Sequence, residues 1–144
     1  MREEHLTPDD FMAADFVNTT FDGYRPELNQ EAGDMILPND HKNAKGQRNA
    51  VRDRRFRWPD AKVPYIITGK YSPDDRAVIA RGMKEFHENS CIKFIPRTTE
   101  EAYIDIVDTG DGCKSWVGRM GTKQLVWLPT NLYCVNIGMK DRCW

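Results

Sequence analysis

The spacing of hydrophobic residues in the middle of the chain predicts one amphipathic helix over about residues 73–88. Ser72 is a favourable N-cap residue, and Pro73 suits the first helical position because the N–H that it lacks would have no helical partner there. Apolar side chains then recur at helical spacing, at Val78, Ile79, Met83 and Phe86. A stripe of this kind packs on the core while the other face of the helix meets water.

Short runs rich in β-branched and aromatic residues flank this helix and predict strands. The runs are residues 63–68, 91–98, 103–107, 115–118 and 124–129. Each face of a sheet needs a cover, so one helix packed on a mixed five-stranded sheet is the simplest architecture, and the predicted fold class is α+β. The short run 115–118 is expected at the edge of the sheet.

The first 48 residues show little hydrophobic periodicity and are expected to be largely irregular. The exception is a short helix capped by Thr7, with Pro8 at its first position. These residues carry ten acidic and five basic side chains, a net charge of −5, whereas residues 49–144 carry twelve and sixteen, a net charge of +4. A solvated acidic tail and a leader that lies against the basic body are both consistent with this asymmetry.

Overall composition excludes two classes of partner. The net charge of the whole chain is only −1, without the basic excess that nucleic-acid-binding proteins usually carry. The mean hydropathy is −0.68 and no apolar run approaches 18 residues, so no membrane span is expected.

The cysteines favour an oxidising compartment, although the N-terminal residues lack the apolar segment of a signal peptide. The four cysteines are Cys91, Cys113, Cys134 and Cys143. They form no CxxC pair, which argues against a zinc knuckle and favours disulfides. Asn18 begins an Asn-Thr-Thr glycosylation sequon. We therefore expect secretion, with the signal peptide not present in this chain.

Three segments, in this order, resemble the astacin family of zinc metalloendopeptidases. The first joins Arg57–Pro59 to Val63–Tyr65, the second is Cys91–Glu100 (CIKFIPRTTE), and the third is Gly112–Arg119 (GCKSWVGR). The resemblance extends from about residue 49 to residue 135. It implies a zincin-like N-terminal subdomain, hydrolysis of peptide bonds by zinc-activated water, and protein or peptide substrates.

The resemblance also implies roles for residues of the predicted edge strand and its surroundings. Lys114, Ser115 and Trp116 match the backbone that pairs with an extended substrate, although core packing of Trp116 is an equal alternative. Cys113 and Cys134 match a family disulfide. In the family the partner of Cys91 lies in the C-terminal half. The chain is therefore expected to form either the Cys113–Cys134 bridge alone, with Cys91 and Cys143 as thiols, or a Cys91–Cys143 bond in addition.

Residues 1–48 resemble an astacin pro-segment, and residues 49–144 the N-terminal half of the peptidase domain. Gly33 and Asp34 match the Gly-Asp whose carboxylate occupies the open position of the zinc and keeps the enzyme latent. Arg48 and Asn49 flank a site for an activating trypsin-like protease.

The resemblance stops before the zinc-binding helix of the family, which carries H-E-x-x-H-x-x-G-x-x-H. The three histidines of the chain, His5, His41 and His87, do not have this spacing. The leader also departs from the pattern at Ala32, where a Glu usually stands. We therefore expect a partial chain that holds no catalytic zinc and is inactive. The alternative is a non-catalytic pseudoprotease or binding module that uses its edge strand to bind protein partners.

Overall fold

The computed structural model describes residues 4–17, 35–36, 53–110, 112 and 114–130, and within them it confirms the α+β class. The helices are α1 (Pro8–Ala14) and α2 (Pro73–Asn89). The strands are β1 (Met35–Ile36), β2 (Lys62–Ile67), β3 (Lys93–Pro96), β4 (Tyr103–Val107), β5 (Lys114–Trp116) and β6 (Lys123–Trp127). Two 3₁₀ turns, Arg54–Phe56 and Pro59–Ala61, precede β2.

Helix α2 forms where its local sequence predicts it. The Ser72 hydroxyl accepts a hydrogen bond from the backbone N–H of Asp75, and the Asp75 carboxylate accepts one from the backbone N–H of Ser72, which is a capping box. At the other end, the backbone N–H of Ser90 donates to the carbonyl oxygen of Phe86. The buried stripe of α2 consists of Ala77, Ile79, Ala80 and Met83.

The strands of the described residues form one mixed sheet in the order β1-β5-β6-β4-β2-β3. Neighbouring strands are parallel except β5 and β6, which form an antiparallel hairpin. Helix α2 covers one face of this sheet. The buried core between them includes Tyr65, Ile67, Ile79, Met83 and Ile106.

The leader is more structured than the sequence predicted. Helix α1 has the predicted Thr7 cap, also as a capping box, and it packs against the body, where Ala14 is fully buried. Strand β1 adds a sixth strand next to β5, so β5 is not the outermost strand. Among the described residues, no helix combines the length and the apolar character needed to cross a membrane.

Candidate functional site

The β5–β6 hairpin carries the three residues matched to substrate binding. Lys114 lies opposite Trp127, and Ser115 lies opposite Val126. The Lys114 ammonium sits 4.9 Å from the centroid of the Trp127 ring, a cation–π contact across the hairpin. Lys114, Ser115 and Trp116 are all half-buried, so the structure brings them together without placing Trp116 in the deep core.

A glycine turn fixes the position of this hairpin. Gly118 has a φ of +81°, and a Cβ added to it would lie 2.5 Å from the carbonyl oxygen of Phe56. The backbone N–H of Arg119 donates to the same carbonyl oxygen at 2.8 Å. The segment around Phe56, which follows the predicted cleavage site in the sequence, is thereby attached to the turn after β5.

Gln124 completes this turn, a role that the sequence alone does not reveal. Its side-chain amide donates to the carbonyl oxygen of Gly118 and accepts from the backbone N–H of Met120, both at 2.9 Å. The side chain is buried, which an amide tolerates only when it is hydrogen-bonded in this way. The available signal is a polar residue in the otherwise apolar predicted strand 124–129, which suggests a buried hydrogen-bonded side chain. Its two partners, Gly118 and Met120, can be identified only in the folded chain.

The backbone of β5 is paired on both sides. Strand β6 lies on one side, and the leader strand β1 lies on the other, parallel to β5, with Met35 opposite Ser115 and Ile36 opposite Trp116. The edge to which the resemblance assigns substrate backbone is therefore occupied by the leader of the same chain.

A buried carboxylate stabilises the sheet beside the hairpin. Asp105 on β4 is only 1% exposed. One of its oxygens accepts from the Thr68 hydroxyl at 2.8 Å, and the other lies 2.8 Å from the ammonium of Lys123 on β6. A buried charge needs such partners, and these contacts link the end of β2 to β4 and β6.

His87 has a structural role in α2. Its Nε2 accepts a hydrogen bond from the backbone N–H of Phe94 at 2.9 Å, which ties the helix to β3. Burial lowers the pKa of His87, and the nearby Lys93 ammonium lowers it further. The imidazole is therefore held neutral, with this nitrogen already in use.

No metal centre is formed within residues 4–17, 35–36, 53–110, 112 and 114–130, because no three His, Cys, Asp or Glu side chains there converge. The described residues thus do not fit a catalytic zinc. Cys91 forms a disulfide whose other half lies outside the described residues. The remaining predicted site residues also lie outside the described residues; they are Asn18, Asp34, Arg48, Asn49, Cys113 and Cys134.

Comparisons with known proteins agree on one family. The family model of astacin (peptidase family M12A) matches residues 50–140. Zinc metalloproteinase nas-7 of Caenorhabditis elegans is 40% identical over 101 residues, which cover 70% of this chain and 25% of that protein. Zinc metalloproteinase nas-13 of the same nematode is 45% identical over 94 residues, or 65% of this chain and 20% of that protein.

Two fish proteins are also similar. Low choriolytic enzyme of Oryzias latipes is 38% identical over 105 residues, covering 67% of this chain and 36% of that protein. The solved structure of high choriolytic enzyme 1, a hatching enzyme zinc-protease of the same fish, aligns with a TM-score of 0.48 and 29% identity over 57% of this chain and 42% of that chain.

The chain spans between 20% and 36% of the length of these curated relatives. The match nevertheless covers most of the residues that form the sheet and α2, and the family model spans more than half of the chain. The chain belongs to the astacin family, peptidase family M12A.

Proposed function

We propose that this chain comprises the pro-segment, residues 1–48, and the N-terminal half of the catalytic domain, residues 49–144, of a secreted zinc metalloendopeptidase made as an inactive zymogen. The observation that carries this proposal is the pairing of the leader strand β1 with β5. The leader lies on the backbone that the family resemblance assigns to the substrate.

Strand geometry explains why this pairing inhibits. A strand in a sheet has two edges, and β5 uses one for β6 and the other for β1. An extended peptide can add to β5 only after β1 has left, since both would use the same N–H and C=O groups. Strand β1 is two residues long, so few hydrogen bonds oppose its displacement once the leader has been cut.

We assign Asp34 as the leader ligand of the zinc in the complete enzyme. A catalytic zinc keeps one position open for water, and a carboxylate in that position blocks it. Asp34 directly precedes β1 in the sequence, which supports this role. The 144-residue chain itself lacks the histidine motif, and we expect it to hold no catalytic zinc and to be inactive.

Activation in this scheme begins with a cut by a trypsin-like protease between Arg48 and Asn49. The substrates are proteins or peptides bound in extended form along β5. A Cys113–Cys134 disulfide and glycosylation at Asn18 would suit the extracellular location.

The latency proposal is tested in a chimera that joins residues 1–135 to the remaining C-terminal part of high choriolytic enzyme 1, the hatching enzyme zinc-protease. Uncut, the chimera should be silent, and Asp34→Ala should raise its activity on a generic protein substrate by about tenfold or more. Asp40→Ala, in the same leader, should leave it silent. If the Asp34→Ala chimera remains as inactive as its parent, Asp34 is not the residue that keeps the enzyme latent.

The inactivity of the chain as given is tested separately by elemental analysis and by a protease assay on residues 1–144 made in an oxidising host. We expect no stoichiometric zinc and no chelator-sensitive cleavage. One tightly held zinc per chain with such cleavage would contradict the proposal. Sequencing the transcript beyond the Val135 codon separates the alternatives. A downstream in-frame H-E-x-x-H supports the enzyme, and a stop codon directly after Trp144 supports a binding module.

A further inference from the structure

Residues 4–17, here called the clamp, attach to the body at a place separate from the β5 edge. The carbonyl oxygen of Glu4 accepts a hydrogen bond from the backbone N–H of Ile67 at 2.8 Å, in an antiparallel bridge to β2. The backbone N–H of Leu6 donates to the hydroxyl of Tyr65 at 3.3 Å. Strand β2 lies far along the sheet from β1, with β5, β6 and β4 between them.

A nearly buried ion pair reinforces the clamp. The Arg76 side chain on α2 is 16% exposed, and its Asp10 partner on α1 is 12% exposed. Two guanidinium nitrogens donate to one Asp10 oxygen, at 3.2 and 3.1 Å, and the second of them also donates to the carbonyl oxygen of His5. Burial opposes the ionisation of Asp10, but hydrogen bonds from Thr7 and Arg76 outweigh it and hold the pKa of this carboxyl below its ordinary value.

The clamp also completes the hydrophobic core of the body. Leu6 and Ala14 are buried in the same cluster as Ile79, Ala80 and Met83 of α2, and the Phe11 ring packs against that cluster. A second ion pair, between Lys84 of α2 and Asp15, lies at the end of α1. Removing the clamp would uncover apolar surface of α2 and leave the Arg76 guanidinium without its two carboxylate partners, Asp10 and the more exposed Glu4 at 3.5 Å.

We propose that the surface formed by α2 and the end of β2 is a docking site for the clamp that keeps the leader bound to the body after the chain has been cut between them. All the contacts above join residues 4–17 directly to the body, so a cut near Arg48 leaves them in place. A leader held at one point stays at high effective concentration near its second point, so β1 can return to β5. Full release of the β5 edge would then require the clamp to dissociate after the cut.

This inference rests on the two-point attachment of the leader and only partly on the proposed function. Its test therefore uses no zinc, no activity and no natural cleavage site. In the full chain, residues 43–48 are replaced by the recognition sequence of a site-specific protease, and the chain is cut under non-reducing conditions. The retention of the leader is then measured by size-exclusion chromatography, and its release by exchange with a labelled synthetic leader.

We expect the cut leader to co-elute with the body at micromolar concentration. Arg76→Met, and separately Asp10→Asn, should accelerate exchange by about tenfold or more, because the loss of one partner of a buried charge pair mainly raises the dissociation rate. The matched controls are Asp9→Asn on the same turn of α1 and Arg81→Met on α2, whose guanidinium pairs with Glu85 of its own helix. Both controls should exchange within about twofold of the parent.

Immediate separation of the parent leader from the body would overturn the proposal without any variant. Exchange that is equally fast in Asp10→Asn and Asp9→Asn would also overturn it. Because Asp10 lies in the leader, its variant can be supplied as a labelled peptide to the parent body, so misfolding of the body cannot imitate the expected result.

Discussion

Replacing Gly118 with alanine should disconnect the β5–β6 turn from the segment that follows the predicted cleavage site. The φ of +81° at Gly118 is in the left-handed region, which costs a non-glycine residue about 1–2 kcal/mol. The new Cβ would also lie 2.5 Å from the carbonyl oxygen of Phe56 and 3.0 Å from its Cβ. The backbone must move, and the 2.8 Å hydrogen bond from Arg119 to Phe56 is lost, at about 1 kcal/mol more.

The chain offers a matched control in Gly121, on the same turn. Its φ is +86°, but a Cβ added there meets no atom within 4 Å. Gly121→Ala therefore carries the conformational cost alone, about 1–2 kcal/mol, whereas Gly118→Ala should cost about 2–3 kcal/mol. The difference between the two variants measures the close approach to Phe56.

The assay is equilibrium unfolding in urea under non-reducing conditions, followed by tryptophan fluorescence, with hydrogen exchange at the Arg119 amide as a local readout. That amide should lose protection in Gly118→Ala and keep it in Gly121→Ala. Equal losses of unfolding free energy in the two variants, with the Arg119 amide still protected in both, would refute the role assigned to this contact.

Two further predictions concern charged groups in the sheet and helix. The pKa of His87 is lowered in the folded chain, so near and below its ordinary value of 6.5 the unfolded chain binds more protons than the folded chain. The free energy of unfolding should therefore fall as the pH drops below about 6.5. Urea midpoints measured from pH 7.5 to 5 should show this slope, and His87→Gln should remove most of it. Lys123→Met should destabilise the fold more than Asp105→Asn, because Lys123→Met leaves the buried Asp105 carboxylate without its ammonium partner. In Asp105→Asn the half-exposed Lys123 can reach water instead. The reverse order in urea unfolding would contradict this interpretation.

The individual elements were predictable because their signals are local. For α2 these signals are the capping box of Ser72 and Asp75 and the apolar stripe, and each depends on residues close together in the sequence. The helix begins and ends within a residue of its prediction. Strand β4 has the predicted bounds, Tyr103–Val107, for the same reason. The order of the family-like segments also identifies the family without the tertiary structure.

The site depended on contacts between residues distant in the sequence. Nothing in residues 114–116 reveals that the strand beside them is Met35–Ile36, since pairing is decided by backbone groups that every residue carries. The same reason hid the clamp: Asp10 reads as a helix-capping acid, and Arg76 as a surface residue of α2, until the fold places them together across 66 residues. The sequence alone determined which elements form and which family they belong to, because propensity, capping and motif order act over short distances. Only the tertiary structure decided what covers the β5 edge and what holds the leader, because burial and strand partnership exist only once the chain has packed.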